Sequence, residues 1–476
     1  MPRSPLGLMV AVLGLASGTI VGGPLAASAA PGQLARASDA LPRPEKLTIG
    51  SGLPLHVVRR PGMPVVTLLA LVRTGSAQDP QDRIGLASLA GALLKRGAAG
   101  RTGAEIDEML DAVGADVAVE VDDDRMLVRF TGLSEHLDLG TTLLADMLTR
   151  PDFPAAELEL ARDQRLAAMR STLDDANAIV GLAAARNHFG THPYAHPGQG
   201  TRSGLGAITT ADLLRFRDTA IRPGNIEFVA VGDLDPQRLA TALRTALGSW
   251  REGPRADAAR PLPPHRVSAG RRVLFVPMPV TQAYIQLDLP SVARRHPDHL
   301  PLAVMAYILG GSSRGRLYAD IRDKQGLAYG AYASQQAQAA EGRLVLELQT
   351  KTASAGKAID SLLGQMRRMA EQGPTRTELE AAKEYLTGSW GSRFESGADV
   401  AGQVAAMRFH DLGEDWFRAY PERIRSLTAS RIQGVAAQYL RTGRYSLTVV
   451  GPEESVAPGL GRFGTVTRTE ATSLLD

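Results

Sequence analysis

The run Ile226-Glu-Phe-Val-Ala-Val-Gly232 returns as Tyr445-Ser-Leu-Thr-Val-Val-Gly451, and the fold follows from that echo. Both runs are short, rich in β-branched residues and closed by a glycine, the pattern of a strand entering a turn. The same elements precede each of them in the same order. Upstream of Ile226, strand-like Leu55–Val58 and Val65–Val72 lead to a helix over Gly85–Lys95. The alternating stretches Gly114–Val121 and Arg125–Phe130 then read as a hairpin, and Leu133–Leu148 as an amphipathic helix. Upstream of Tyr445 the series is Val273–Val276, Ala283–Leu289, a helix at Pro301–Leu309, the hairpin Gly326–Ser334 with Arg343–Leu348, and the helix Ala355–Glu371. A further helix opens at Phe153-Pro154-Ala-Ala-Glu157 in one half and after Gly373-Pro374-Thr375 in the other. Duplication of a whole unit, with strands and helices grouped in this way, predicts an α+β protein of two homologous domains, each an antiparallel-rich sheet packed with helices.

The divider between the copies is Arg251–Arg266, with Pro254, Pro261, Pro263 and Pro264. We take residues 44–250 and 268–460 as the two domains, 251–267 as the linker, 30–43 as an Ala/Pro/Gly-rich lead-in and 461–476 as a tail. The first 29 residues read as an export signal: Arg3, an apolar stretch from Leu6 to Val21, and Ala27-Ser28-Ala29 as an A-x-A cleavage site. The mature chain is expected in the periplasm or outside the cell, without a membrane span.

At 476 residues, 44% hydrophobic and 22% charged, the chain can build more than one core. A formal net charge of +3 and the lack of any basic stripe with interleaved aromatics exclude a nucleic-acid partner. There is no cysteine, which removes disulfides, thiolate metal sites and a Cys nucleophile.

The arrangement resembles the pitrilysin/insulinase metallopeptidases over essentially the whole mature chain. Leu71-Val-Arg-Thr-Gly-Ser76 is similar to that family's first core strand and its exit, and His192-Pro-Tyr194 and Arg222-Pro-Gly-Asn225 to further landmarks. Gly85-Leu-Ala-Ser-Leu-Ala-Gly-Ala-Leu-Leu94 stands where the family carries H-x-x-E-H, two zinc-binding His one helical turn apart and a Glu that activates water. Those positions here are Ser88, Gly91 and Ala92, and the family's third ligand, a Glu on a later helix, corresponds to Ala167 or Ala168. A supporting carboxylate one to two turns earlier corresponds to Ala161. A catalytic zinc needs three protein ligands, so the resemblance implies no metal in this chain.

What the resemblance retains lies in the second half. Ile321-Arg-Asp-Lys-Gln-Gly-Leu-Ala-Tyr329 places Arg322 and Tyr329 seven residues apart, as in family members whose Arg and Tyr bind the substrate backbone and the developing oxyanion at a zinc site on the other half or subunit. The flanking Gly310-Gly311-Ser312-Ser313 loop is expected to line the substrate chamber. The implied role is the non-zinc subunit of a heterodimeric metallopeptidase. This chain would form one half-shell, inactive alone, with peptide substrates enclosed against a homologous zinc-bearing partner. The alternative is a catalytically inert pseudo-peptidase that binds peptides or scaffolds a complex.

Other motifs carry less. His188, His192 and His196 have helical metal-site spacing, but Pro193 and Pro197 interrupt the helix. His296 and His299 have no carboxylate at ligand spacing. Asp122-Asp-Asp124 lacks the Gly and distal Glu of a calcium loop and reads as a polar hairpin turn. Gly311-Ser-Ser-Arg-Gly315 fits G-x-S-x-G as a string but follows a helix, where a nucleophile elbow must follow a strand.

Overall fold

The computed structural model describes residues 43–50, 52–248, 250, 262–265, 270–441 and 443–476. The export-signal segment and most of the Pro-rich linker lie outside the described residues. In the first half, β1 (Glu45–Ile49), β2 (Leu53–Arg59), β3 (Val65–Val72), β4 (Asp116–Val121), β5 (Met126–Leu133) and β6 (Ile226–Gly232) form one sheet. Its order is β1-β2-β6-β3-β5-β4, antiparallel except for β2 beside β6. In the second half, β7 (Arg271–Pro277), β8 (Gln282–Ser291), β9 (Ala328–Ala337), β10 (Gly342–Lys351), β11 (Tyr445–Gly451) and β12 (Thr465–Arg468) give the order β9-β10-β8-β11-β7-β12. Five strands correspond one to one between the sheets. Only the outermost partner differs, β1 running antiparallel to β2 while β12 runs parallel to β7.

Residues 461–476, expected as a tail, are part of the fold. They add β12, and Leu474 and Leu475 are buried. Arg202 N–H donates to the Leu475 carbonyl at 2.7 Å, tying the chain's end to the first half. The helix Gly103–Asp111, opened by the capping box Thr102/Glu105, has no counterpart in the sequence expectations.

Every residue of β6 and of β11 is buried. A sheet strand buried on both faces needs cover on both, which the helices of its own half do not supply. Ile226, Phe228 and Ala230 face the core of their own half. Val229 and Val231, on the opposite face, pack with Val400, Ala401 and Val404 of α5 (Gly397–Phe409), a helix of the second half. The exchange is mutual. α3 (Ala176–Phe189), from the first half, lies on β7, β8 and β11, with Ile179, Val180 and Ala183 against Leu274, Val276 and Val450. It follows α2 (Ala155–Leu173), which packs on α1 (Leu86–Leu93).

Polar anchors fix both crossings. On one, buried Glu227 of β6 accepts from Arg73 at 2.7 Å, from Arg408 of α5 at 3.0 Å and lies 2.9 Å from His56 Nε2. Burial works against ionising this carboxyl, but the three donors outweigh it and hold its pKa far below the usual range. Removing one member of such a buried network costs roughly 3–5 kcal/mol. On the other crossing, Asn187 of α3 donates to the Leu447 carbonyl at 3.0 Å and to Thr448 Oγ1 at 3.2 Å.

The two hairpin tips also meet. Asp122-Asp-Asp124 is the β4–β5 turn, as read, and it doubles as a clasp. Gln338 donates to Asp123 at 2.6 Å, Ala339 N–H to Asp124 at 2.9 Å, and Tyr194 hydroxyl to Asp124 at 2.6 Å. Burial raises the Asp124 carboxyl from 3.8 to about 6. The native clasp therefore keeps a proton that the unfolded chain gives up above the lower value. Its stabilising contribution is complete below that value and is lost as pH climbs through the upper one. The stability difference between wild type and Asp124→Asn should fall across roughly pH 4–6, by at most about 1.4 kcal/mol per pH unit, and level off above. Urea unfolding at a series of pH values reads this, and a difference independent of pH would refute it.

Candidate functional site

The degenerate zinc positions sit on α1, the helix expected at Gly85–Lys95. Its start is held by half-buried Asp79, which accepts the N–H of Gly85 at 2.8 Å and of Ala87 at 2.9 Å. Burial lifts this carboxyl to about 7 against the pull of those donors. Leu86, Leu89, Leu93 and the following Leu94 fill the core of the first half, so the helix persists as a packing element.

Ser88 and Gly91 are buried and Ala92 is exposed. The site is occupied by a basic side chain that the sequence reading passed over. Arg165 of α2 donates to the Ser88 carbonyl at 3.1 Å and to Gln199 Oε1, and Ser88 Oγ reaches the same Gln199 oxygen at 3.4 Å. Ala167 and Ala168 are exposed, whereas Ala161 packs at the edge of the core. A guanidinium fixed beside a serine, a glycine and an alanine offers no metal donor set, so zinc does not fit this arrangement. Gly91 leaves no room for a longer side chain, since a Cβ there would lie 2.6 Å from Val121 Cγ2. The signal that could have found the replacement was Arg165 itself, one turn before Met169 on the face of α2 that packs inward.

The second-half motif occupies the edge of its sheet. Arg322 lies in the π-helical turn Tyr318–Lys324, a wide turn of the kind found at functional sites. Its guanidinium rests over the Tyr318 ring at 4.7 Å and donates to the Tyr318 hydroxyl. Tyr329 is the extra residue of a β-bulge at the start of β9, between the pairs Ala328↔Thr350 and Gly330↔Gln349. A bulge on an edge strand re-aims a side chain, and Tyr329 is 62% exposed. Tyr332, also exposed, lies across Gly330 and faces Tyr318 at 6.1 Å. Among the described residues no hydrogen bond or ion pair joins Arg322 or Tyr329 to Ser88, Arg165 or Gln199.

The loop Gly310-Gly311-Ser312-Ser313 ends α4 (His299–Gly310). Gly310 approaches β9 so closely that a Cβ would stand 2.5 Å from Ala333 N. Gly311 and Ser313 are exposed, beside the stacked pair Tyr307 and Tyr385. The G-x-S-x-G string thus lies in a helix-end loop. His188 and His192 are buried around Phe189, Tyr194 and His265; burial lowers the pKa of His188 to about 3, and burial also lowers that of His192. Among the described residues no three His, Asp or Glu side chains converge as a metal site would require.

Both halves of the chain match family models. Residues 57–197 match the family described as insulinase (peptidase family M16), and residues 207–386 match the peptidase M16 inactive domain. An uncharacterised zinc protease of Mycobacterium tuberculosis is 24% identical over 417 residues, 87% of this chain and 94% of its own. The non-peptidase homolog YmxG of Helicobacter pylori is 26% identical over 322 residues, 67% of this chain and 73% of its own. The crystal structure of a peptidase M16 inactive domain from Pseudomonas fluorescens superposes with a TM-score of 0.80 at 25% identity, covering 86% of this chain and 98% of that one.

Writing H-x-x-E-H back into α1 should not restore the metal. In the triple variant S88H/G91E/A92H the Glu must displace Val121 while Arg165 keeps its charge in place. Zinc measured by mass spectrometry on the purified chain should stay well below one per chain, with stability lowered by about 1–3 kcal/mol from overpacking. A stoichiometric, tightly held zinc would contradict the account.

Proposed function

Because the chain belongs to the insulinase family, peptidase family M16, we propose that it is the non-zinc subunit of a two-component peptidase. One observation carries the reading. The half that would hold the metal is filled by Arg165, while the half bearing Arg322 and Tyr329 keeps these side chains exposed and presents the Tyr on a bulge. A guanidinium and a phenol hydroxyl are hydrogen-bond donors suited to a peptide carbonyl and to the oxyanion formed when it is attacked. The attacking water and its metal belong to a homologous partner carrying H-x-x-E-H. Each chain forms one half-shell of a chamber for an unfolded peptide, and the edge strand β9 can pair with that peptide through its main chain. The segment before residue 30 exports the protein to the periplasm or beyond, so the mature chain begins at Ala30, a start readable by N-terminal sequencing.

A second reading draws on the relative named a non-peptidase homolog. In it the chain binds peptides or scaffolds a complex, and no partner's turnover depends on it.

The experiment mixes the chain with an H-x-x-E-H family partner from the same organism and measures peptide turnover. Arg322→Ala and Tyr329→Phe should each lower kcat by about 10²–10³-fold, the loss expected for one preorganised donor, with heterodimer formation unchanged. Full turnover in both variants would overturn the catalytic-support role, and peptide affinity without any effect on the partner would favour the second reading.

A further inference from the structure

Arginines gather at a second place, where the β5 end of the first half meets the helices of the second. Arg73 and Arg125 both lie over the ring of Phe409, at 5.6 and 5.7 Å. His410, the next residue, meets that ring edge-on at 5.0 Å. Arg294, in the loop between β8 and α4, lies over Trp416 at 5.5 Å, and Arg393 lies over Trp390 at 5.5 Å. Trp390 and Trp416 both pack against Tyr420, which brings Arg294 and Arg393 onto one aromatic cluster.

The charges here are unequally matched. Arg73 is satisfied by Glu227 and two backbone carbonyls. Arg125 spends its Nε on Asp122 at 3.0 Å, while its buried Nη1 has no partner. The buried Nε of Arg294 is likewise unpartnered, and among the described residues its guanidinium makes neither a hydrogen bond nor an ion pair. The buried Nδ1 of His299, at the start of α4, is unpartnered too. Burial and then the charges of Arg125 and Arg393 pull Arg294 down to about 10, with no carboxylate opposing them. His299 and His410 are pushed to about 3 by burial and by the neighbouring arginines, so both imidazoles are neutral. Buried cations are paired in stable proteins, and a ring face compensates less than an oxyanion does.

We propose that Arg125, Arg294 and Arg393, with His299 and His410, form a binding site for a small oxyanion, either a phosphate or the terminal carboxylate of a peptide. Guanidinium groups fit both, because their forked N–H donors match the paired oxygens of either group. The site is independent of the peptidase reading, since it uses neither Arg322 nor Tyr329 and needs no second subunit.

Isothermal titration calorimetry of the mature chain, in chloride buffer at fixed ionic strength, tests this with three probes: inorganic phosphate, an N-acetylated dipeptide acid and the same dipeptide as its C-terminal amide. One saturable site is expected for phosphate or for the acid, and none for the amide. Saturation by phosphate alone identifies a free oxyanion, and saturation by the acid identifies a peptide terminus. Arg294→Met should weaken that binding by about ten-fold or more, the loss expected when one charged donor is removed. Arg393→Met should act in the same direction, and it decides the matter if Arg294→Met does not fold. Absence of saturable binding with all three probes, equal binding of acid and amide, or binding unchanged in both variants would overturn the site.

Discussion

Two sheets whose central strands are buried on both faces, each covered on one face by a helix of the other half, impose the constraint on which this molecule rests. Each half lends the other a helix: α3 crosses onto β7, β8 and β11, and α5 crosses onto β3 and β6. The apolar area that buries Val229 and Val231 in one sheet, and Val276 and Val450 in the other, belongs to the contact between halves. Each duplicated unit has a core of its own, but one face of each sheet is covered only by a helix of the other unit. The Glu227 network, the Asn187 anchor and the clasp of hairpin tips are polar fixings on that same exchange, and they select one docking among those the hydrophobic faces would permit.

Against this shared frame the two halves have diverged in what they expose. In the first, α1 stands because its leucines and its Asp79 cap serve the core, with Ser88, Gly91 and Ala92 at the positions that resemble the family's zinc motif. Arg165 then reaches across from α2 and satisfies the Ser88 carbonyl and Gln199. A positive charge stands where the family places a cation, which closes the site electrostatically as well as by ligand loss. In the second half, the corresponding helix α4 ends in glycines so that it can lie against β9, and the bulge beside it turns Tyr329 outward. Core packing accounts for both helices, and in the second half Arg322 and Tyr329 are exposed.

The seam between the halves also collects groups that are costly to bury: Asp123, Asp124, His188, His299, His410 and Arg294. Some are matched across the seam, as Asp124 is by Tyr194 and Ala339. Others, Arg294 above all, have no hydrogen bond or ion pair among the described residues. An interface that buries charge so unevenly is stable only through the apolar area around it, and its polar groups respond to pH and to small ions more than either core does.

The sequence by itself determined the duplication, the strand and helix order of each half, and the loss of metal ligands. These are written in local periodicity and in residue types, and a serine, a glycine or an alanine cannot become a zinc ligand in any fold. It also marked Arg322 and Tyr329, through the spacing shared with a known family. Tertiary structure alone decided the exchange of α3 and α5, the return of residues 461–476 to the sheet, the hairpin clasp, the reach of Arg165 to Ser88 and Gln199, and the gathering of Arg125, Arg294 and Arg393. Each of these joins residues tens to hundreds of positions apart, and neither propensity nor spacing encodes which helix will cover a distant sheet face. That choice is made by the total apolar surface the whole chain can remove from water.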